Sequence, residues 1–360
     1  MTTFAPLFVP EPLRDAVSDR AWLAAMLDAE RALANAAGLD GVADACDLSL
    51  YDVAALCEEG RAVANPVEPL VRALRERAPA AHRGATSQDI LDTAAMLVAR
   101  NAIELVLDEL EEAHTACARL AREHRSTPMA ARTLLQQAVP TTFGYVAAQW
   151  LVSLCAPAFR FPAQLGGAAG TLAAFGDRGL AVRERFAAEL ALECPPLPWH
   201  TTRAPVAELA VGLDALAQGA AKVALDVILL AQTEVGEVRE GSGGGSSTMP
   251  HKRNPGRAVL ARACARGVHA QAAVLTATGD YELQRAAGAW QAEWNALSEA
   301  LALAGGAVAA IRACLVTLEV DTQRMRANMR EELYAERDAL GLEGDYLGAA
   351  EAFVDRVLDS

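Results

Sequence analysis

Three short stretches of this chain carry residue types that could handle a carboxylate: His82 to Asp89 (HRGATSQD), Thr133 to Gln136 (TLLQ) and Gly241 to Gly256 (GSGGGSSTMPHKRNPG). The first half of the last stretch has the composition of a flexible linker. Its second half departs from that composition, setting a histidine, a lysine and an arginine beside two prolines that restrict the backbone. A phosphate-binding loop is set aside, because Arg253 follows Lys252 where Ser or Thr is required and no strand pattern precedes it. A nucleophile elbow is not matched either, since Thr248 stands where GxSxG ends on glycine. The remaining reading is an anion site. Asn254 is placed to cap a helix begun by Pro255, which would put backbone N–H groups and a positive helix end beside Lys252. Ser246 and Ser247 lie where glycines permit strained backbone, and a serine becomes a useful base only where cations and N–H groups stabilise its alkoxide.

Charge supports an anionic ligand. The chain carries 46 acidic and 32 basic residues, a formal charge of -14, which repels nucleic acid and anionic membranes from the molecule as a whole. Yet from Gly241 to Gly279 there is no Asp or Glu, while Lys252, Arg253, Arg257, Arg262 and Arg266 are basic. The last three arginines fit a solvent-facing or ion-paired role equally well. His114, His124 and His269 stand alone, and no HExxH or paired Cys/His set exists, so neither a metal nor another cofactor is expected. Seven widely spaced cysteines without CxxC read as buried thiols in a reducing compartment. The N-terminus lacks the pattern of a secretory signal, and apolar runs such as Leu301 to Ile311 fall short of the ~20 residues that span a bilayer. A cytoplasmic protein is expected.

The elements that must position these stretches read as helices. Hydrophobic residues make up 52% and aromatics only 5%, a balance that suits closely packed helices. Ser18 is a candidate N-cap for a helix ending at Gly38, and a second helix is expected near Ser49 and Asp52. Ala85 to Thr127 contains no Gly or Pro and repeats apolar residues at helical spacing, which predicts a helix of roughly 40 residues, about 60 Å long. Further long helices are expected over 141–165, 178–192, 206–239, 257–278 and 289–318, with no competing strand pattern. Small and apolar residues on several faces of 220–230 predict self-association. The expected organisation is all-α: an N-terminal helical domain (1–85), a central long-helix bundle (86–318) carrying the loop, and a shortened C-terminal helical segment (319–360).

With these residues in view, the chain resembles the fumarase/aspartase superfamily. GSSTMPHKRNP at Gly245 to Pro255 matches the superfamily loop GSSxMPxKxNP at every defined position, and HRGATSQD and TLLQQAVPTTFG resemble its other two regions in the same order. The resemblance implies a homotetramer whose long helices bundle together, with each active site shared between subunits and a small polycarboxylate as substrate. It also implies proton transfer at the carbon alpha to a carboxylate, with bond making or breaking at the beta carbon through an enediolate. Carried over position by position, Ser246 is the catalytic serine, and Ser247 beside it contacts substrate. Lys252 and Asn254 hold the substrate carboxylate and stabilise the enediolate, and His82, Thr86, Ser87, Thr133 and Gln136 add substrate contacts.

One departure narrows the reading. Many superfamily members have Thr-His in the second region, where this chain has Thr133-Leu134. Expulsion of an amine would miss that histidine. Internal attack by a carboxylate would not, because a group of pKa about 4 is already ionised at neutral pH. GATSQDILDT (Gly84 to Thr93), PWHTTR (Pro198 to Arg203) and WQAEW (Trp290 to Trp294) are similar to the lactonising branch, the 3-carboxy-cis,cis-muconate cycloisomerases of aromatic-acid catabolism. Arg203 is placed as a substrate contact and His200 could also touch substrate, although PWHTTR reads equally well as a packed turn, while Trp290 and Trp294, four apart, read as core. The alternatives are an adenylosuccinate lyase-like C–N lyase, which normally keeps the missing histidine, and a non-catalytic relative retained for its scaffold.

Overall fold

The computed structural model describes residues 3–241, 244–245, 248–249 and 251–360. Helices dominate it: α1 (Asp19–Ala37), α2 (Val67–Arg77), α3 (Ser87–Glu123), α4 (Phe143–Ser153), α5 (Gly179–Glu189), α6 (Ala204–Leu230), α7 (Gly256–Ala277), α8 (Ala289–Val316), α9 (Thr322–Asn328) and α10 (Ala350–Leu358), with shorter turns of helix between them. The caps follow local chemistry. Ser18 accepts from Ala21 N–H to start α1, and Gly38 ends it in the left-handed region at φ 71°. Asp52, rather than Ser49, caps the next short helix, accepting from Ala54 and Ala55 N–H.

Several expectations are corrected; the helix expected over 206–239 stops at Leu230. The stretch 141–165 is helical only over α4, since Leu154 onward runs irregularly through Pro157 and Pro162, whose rings cannot continue a helix. Strands are also present: β1 (Pro128–Thr133) pairs antiparallel with β2 (Gln136–Thr142), and β3 (Val238–Glu240) pairs with a late strand (Leu318–Val320). A two-residue pairing joins Gly244–Gly245 to Arg253–Asn254. Each is too short for its alternation to stand out from the helices around it.

The chain forms two compact units, each built from three separated stretches. One comprises Met1–Leu105, Ala158–Asp214 and Gly267–Leu303; the other comprises Val106–Pro157, Ala215–Arg266 and Ala304–Ser360. A division into consecutive segments at 85 and 318 therefore differs from this one, because α3, α6, α7 and α8 each contribute residues to both units. In the first unit Leu23, Leu27, Leu33, Leu70, Leu74 and Ile90 are buried, and in the second Leu110, Leu120, Phe143, Trp150, Val227 and Ile311. At roughly 25 cal/mol per Å² of apolar surface removed from water, burial of such side chains is the main stabilising term. By length and hydropathy α8 could cross a bilayer, contrary to the expectation from Leu301 to Ile311 alone. Two thirds (67%) of its most apolar window is buried in the protein, which makes it a core helix. Cys46, Cys117, Cys264 and Cys314 are buried as expected, whereas Cys57, Cys155 and Cys194 are exposed.

Candidate active site

The residues expected to meet substrate divide between the units: His82, Thr86, Ser87 and Arg203 belong to the first, and Thr133, Gln136, Lys252 and Asn254 to the second. Ser246 and Ser247 lie outside the described residues.

In the first unit a fully buried carboxylate organises the start of α3. Asp89 accepts from the N–H groups of Thr86 (3.0 Å), Gly166 (2.8 Å) and Gly167 (2.9 Å) and from Gln164 Nε2 (3.1 Å), and lies 2.7 Å from His200 Nε2. Asp89 N–H donates in return to the Thr86 carbonyl at 2.9 Å. This reciprocal pair is a helix-start device that fixes the backbone presenting Thr86 and Ser87. Gly84, at φ 84°, is required just ahead of it, because a Cβ there would fall 2.5 Å from the Phe175 ring. His82 also has a positive φ (60°), and its Nδ1 lies 2.6 Å from Oε1 of buried Glu30. That contact leaves the other ring nitrogen for a further partner. His82 and Ser87 line one cavity of about 520 Å³ together with Arg72, Arg75, Glu68 and Glu76.

Arg203 is not placed as a free substrate ligand. It is 4% exposed, and its guanidinium donates to Asp92 (2.7 and 3.1 Å) and to Glu293 (3.2 and 2.5 Å) while lying over the rings of Trp199 and Tyr281. Trp290 Nε1 completes the cluster by donating to Asp92 at 2.9 Å. Trp290 and Trp294 pack edge to face, ring centroids 5.0 Å apart, with Trp290 buried and Trp294 half-buried. His200 is likewise buried against Asp89. Of the two readings of PWHTTR, a substrate contact or a packed turn, these contacts fit the packed turn: its cation and imidazole lie against buried carboxylates.

In the second unit the β1–β2 hairpin lifts Thr133 and Gln136 to its tip, where they pair across a two-residue turn. The turn residues are Leu134 (φ 50°) and Leu135 (φ 65°), 96% and 70% exposed. Positive φ at both central positions defines a mirror-type turn that favours Asn-Gly, so two leucines there are strained as well as solvated. Below the tip, Arg132 donates to Glu237 through both terminal nitrogens (2.9 and 2.6 Å), and Glu237 also accepts from Asn328 Nδ2 at 2.7 Å. Lys252 and Asn254 are exposed, and Asn254 pairs with Gly244 instead of capping α7. The N–H groups of Arg257 (3.2 Å) and Ala258 (2.9 Å), at the first turn of α7, are met by the carboxylate of Glu240. The helix end expected to receive an external anion thus already holds one from the chain. Arg257 is also committed, donating to the Ala313 carbonyl and the Thr317 hydroxyl.

Asp89, Glu237 and Glu240 were not singled out by sequence reasoning, though each left a signal. Asp89 stands three residues after Thr86 at a helix start. Glu237 and Glu240 bracket Val238-Arg239 directly before the glycine stretch, four residues and one residue outside the acid-free run that starts at Gly241. Among the described residues no cluster of His, Cys, Asp and Glu could hold a metal ion.

A family profile described as Lyase matches residues 20–269. A 3-carboxy-cis,cis-muconate cycloisomerase of Bradyrhizobium diazoefficiens is 44% identical, the match covering 90% of this chain and 78% of the relative. A nitrosuccinate lyase of Streptomyces davaonensis is also 44% identical, covering 90% of this chain and 76% of the relative. Among solved structures, the 3-carboxy-cis,cis-muconate lactonizing enzyme of Pseudomonas putida superposes with a TM-score of 0.89 at 31% identity, over 99% of this chain and 98% of that one.

Proposed function

This chain belongs to the lyase family of the fumarase/aspartase superfamily, and on that premise we propose that it is a cycloisomerase closing 3-carboxy-cis,cis-muconate to a carboxymuconolactone. One substrate carboxylate attacks the ring-closing carbon and forms a C–O bond. The displaced alkene electrons pass into an enediolate at the other carboxyl end, stabilised by Lys252 and loop N–H groups. The enediolate carbon then takes the proton of Ser246, which regains one from solvent. Asn254, Thr133 and Gln136 orient the carboxylates, with Thr86, Ser87 and His82 supplying further hydrogen bonds. Arg203 acts through the cluster it closes with Asp92 and Glu293, without touching substrate. No metal or other cofactor enters the scheme.

The observation that carries this reading is Leu134. It is a fully presented hairpin-tip residue with nothing to titrate, on the segment where an acid or base would otherwise stand. Chemistry served there needs a nucleophile or leaving group that is an anion without help. Elimination of nitrite from nitrosuccinate meets the same condition, and the nitrosuccinate lyase at 44% identity makes it the second reading. We place the reaction in the cytoplasm and on a homotetramer with shared sites. Val211 on α6 and Val259 on α7, 62% and 51% exposed, are apolar surface that neighbouring copies would cover.

Purified protein should consume 3-carboxy-cis,cis-muconate, seen as loss of its ultraviolet absorbance, without added metal or cofactor, and should size as a tetramer by light scattering. No conversion alongside nitrite release from nitrosuccinate would transfer the assignment to the second reading. A stable monomer would remove the shared-site architecture.

A further inference from the structure

The first turn of α7 raises a question of charge. This is a 22-residue helix with no acidic residue in its first turn, following a loop with none at all. Its leading N–H groups and positive end need a partner. The partner comes from across the loop: Glu240, 4% exposed, meets two successive N–H groups 17 and 18 residues further along the chain. Three other contacts fix the same place. Gly241 N–H donates to the Thr317 carbonyl at 2.8 Å, Glu240 belongs to strand β3 opposite Leu318, and Arg257 reaches back to Ala313 and Thr317 at the end of α8. Burial, and next the negative charge of Glu240, push the Cys314 thiol up, so its proton stays in place near the carboxylate.

We propose that Glu240 is the positioning residue of the signature loop. Its carboxylate staples the loop's entry strand to its exit helix, so that Lys252 and Asn254 are carried on a stem of fixed width. Joining the two ends removes the loop-closure entropy of the chain between them. It also neutralises the helix end with an internal charge, leaving Lys252 as the cation for substrate. Glu237, just ahead of the strand, holds the Arg132 guanidinium of the hairpin, so one short segment (237–240) anchors both substrate-facing elements of the second unit. Glu240 lies outside the loop motif, five residues ahead of Gly245.

The kinetic arm of the test rests on the proposed function; the proteolytic arm does not. Glu240→Gln keeps one acceptor oxygen, and Glu240→Ala keeps none. Limited trypsin digestion of the native protein should cut after Lys252 or Arg253 about tenfold faster in Glu240→Gln and faster still in Glu240→Ala, with rates at other sites unchanged. The kcat on the muconate should fall in the same order, at least tenfold, while KM moves less than threefold. Unchanged cutting at Lys252 and Arg253, or equal acceleration at every site, overturns the staple, the latter by showing a general loss of stability. Wild-type protein inactive on the muconate would refute the proposed substrate while the digestion still decides the role of Glu240.

Discussion

Two regions, one in each unit, treat polar groups in opposite ways. Around Asp89, Asp92 and Arg203 in the first, charge is buried and met by protein partners on several sides, including five donors on Asp89 and two carboxylates on Arg203. At the hairpin tip and loop of the second, Thr133, Gln136, Lys252 and Asn254 are exposed, and the turn between the first two is held in a conformation that leucine disfavours. Satisfied buried networks make a frame rigid; they also leave nothing over for a ligand. Strained, exposed polar groups do the reverse, which is where a binding surface is to be sought. The difference teaches that charge in a motif is not by itself a ligand site: PWHTTR looks as reactive as KRNP in sequence, but its cation is spent internally.

The sharpest way to break that contrast is Arg203→Met. If the guanidinium is frame, removing it strands Asp92 and Glu293 as buried, uncompensated charges, at a cost of about 3–5 kcal/mol. The urea midpoint should fall accordingly. A raised KM with an unchanged midpoint would return Arg203 to the substrate side. Next in size is Lys252→Met. An exposed lysine has little to stabilise in the fold, so the midpoint should stay within about 0.5 kcal/mol of wild type. Loss of a charge on the enediolate should lower kcat by roughly 10² to 10³, the range for one stabilising donor. Equal activity in the variant would remove Lys252 from the reaction, and with it the reading of the loop as the reactive surface.

Much of this frame was legible in the residue order. Ser18 and Gly38 bound α1, the run free of Gly and Pro became the 37-residue α3, and the Gly/Pro clusters fell between helices. The β1–β2 hairpin was not legible, because its turn is written Leu-Leu where a turn of that type usually announces itself with Asn-Gly. Asn254 as helix cap failed for a different reason. Capping rules look within a few residues, whereas the acceptor that won, Glu240, is brought up by the pairing of β3 with a strand 80 residues later. The fate of Arg203 was hidden in the same way, since Asp92 and Glu293 lie 111 and 90 residues from it in sequence. Local chemistry identified the groups; only tertiary contacts decided which were already taken.

The smallest effect expected is also the one that separates stability from function most directly. Replacing Leu134-Leu135 by Asn-Gly gives both turn positions residues that adopt positive φ readily, and removes exposed apolar surface. A left-handed conformation costs an ordinary residue about 1–2 kcal/mol, so the variant should be more stable than wild type by about that amount, read from the urea midpoint. Its hydrogen bonds across Thr133 and Gln136 should persist, since the register of the hairpin is unchanged. If the leucines are retained to keep an ionisable or water-ordering group out of the reacting space, kcat/KM on the muconate should nevertheless fall, roughly tenfold. A variant both more stable and fully active would show that the strain serves nothing in the reaction. One that is less stable would show that the leucines are held by contacts with neighbouring copies, and the contrast between a satisfied frame and a strained reactive surface would then apply only to the isolated chain.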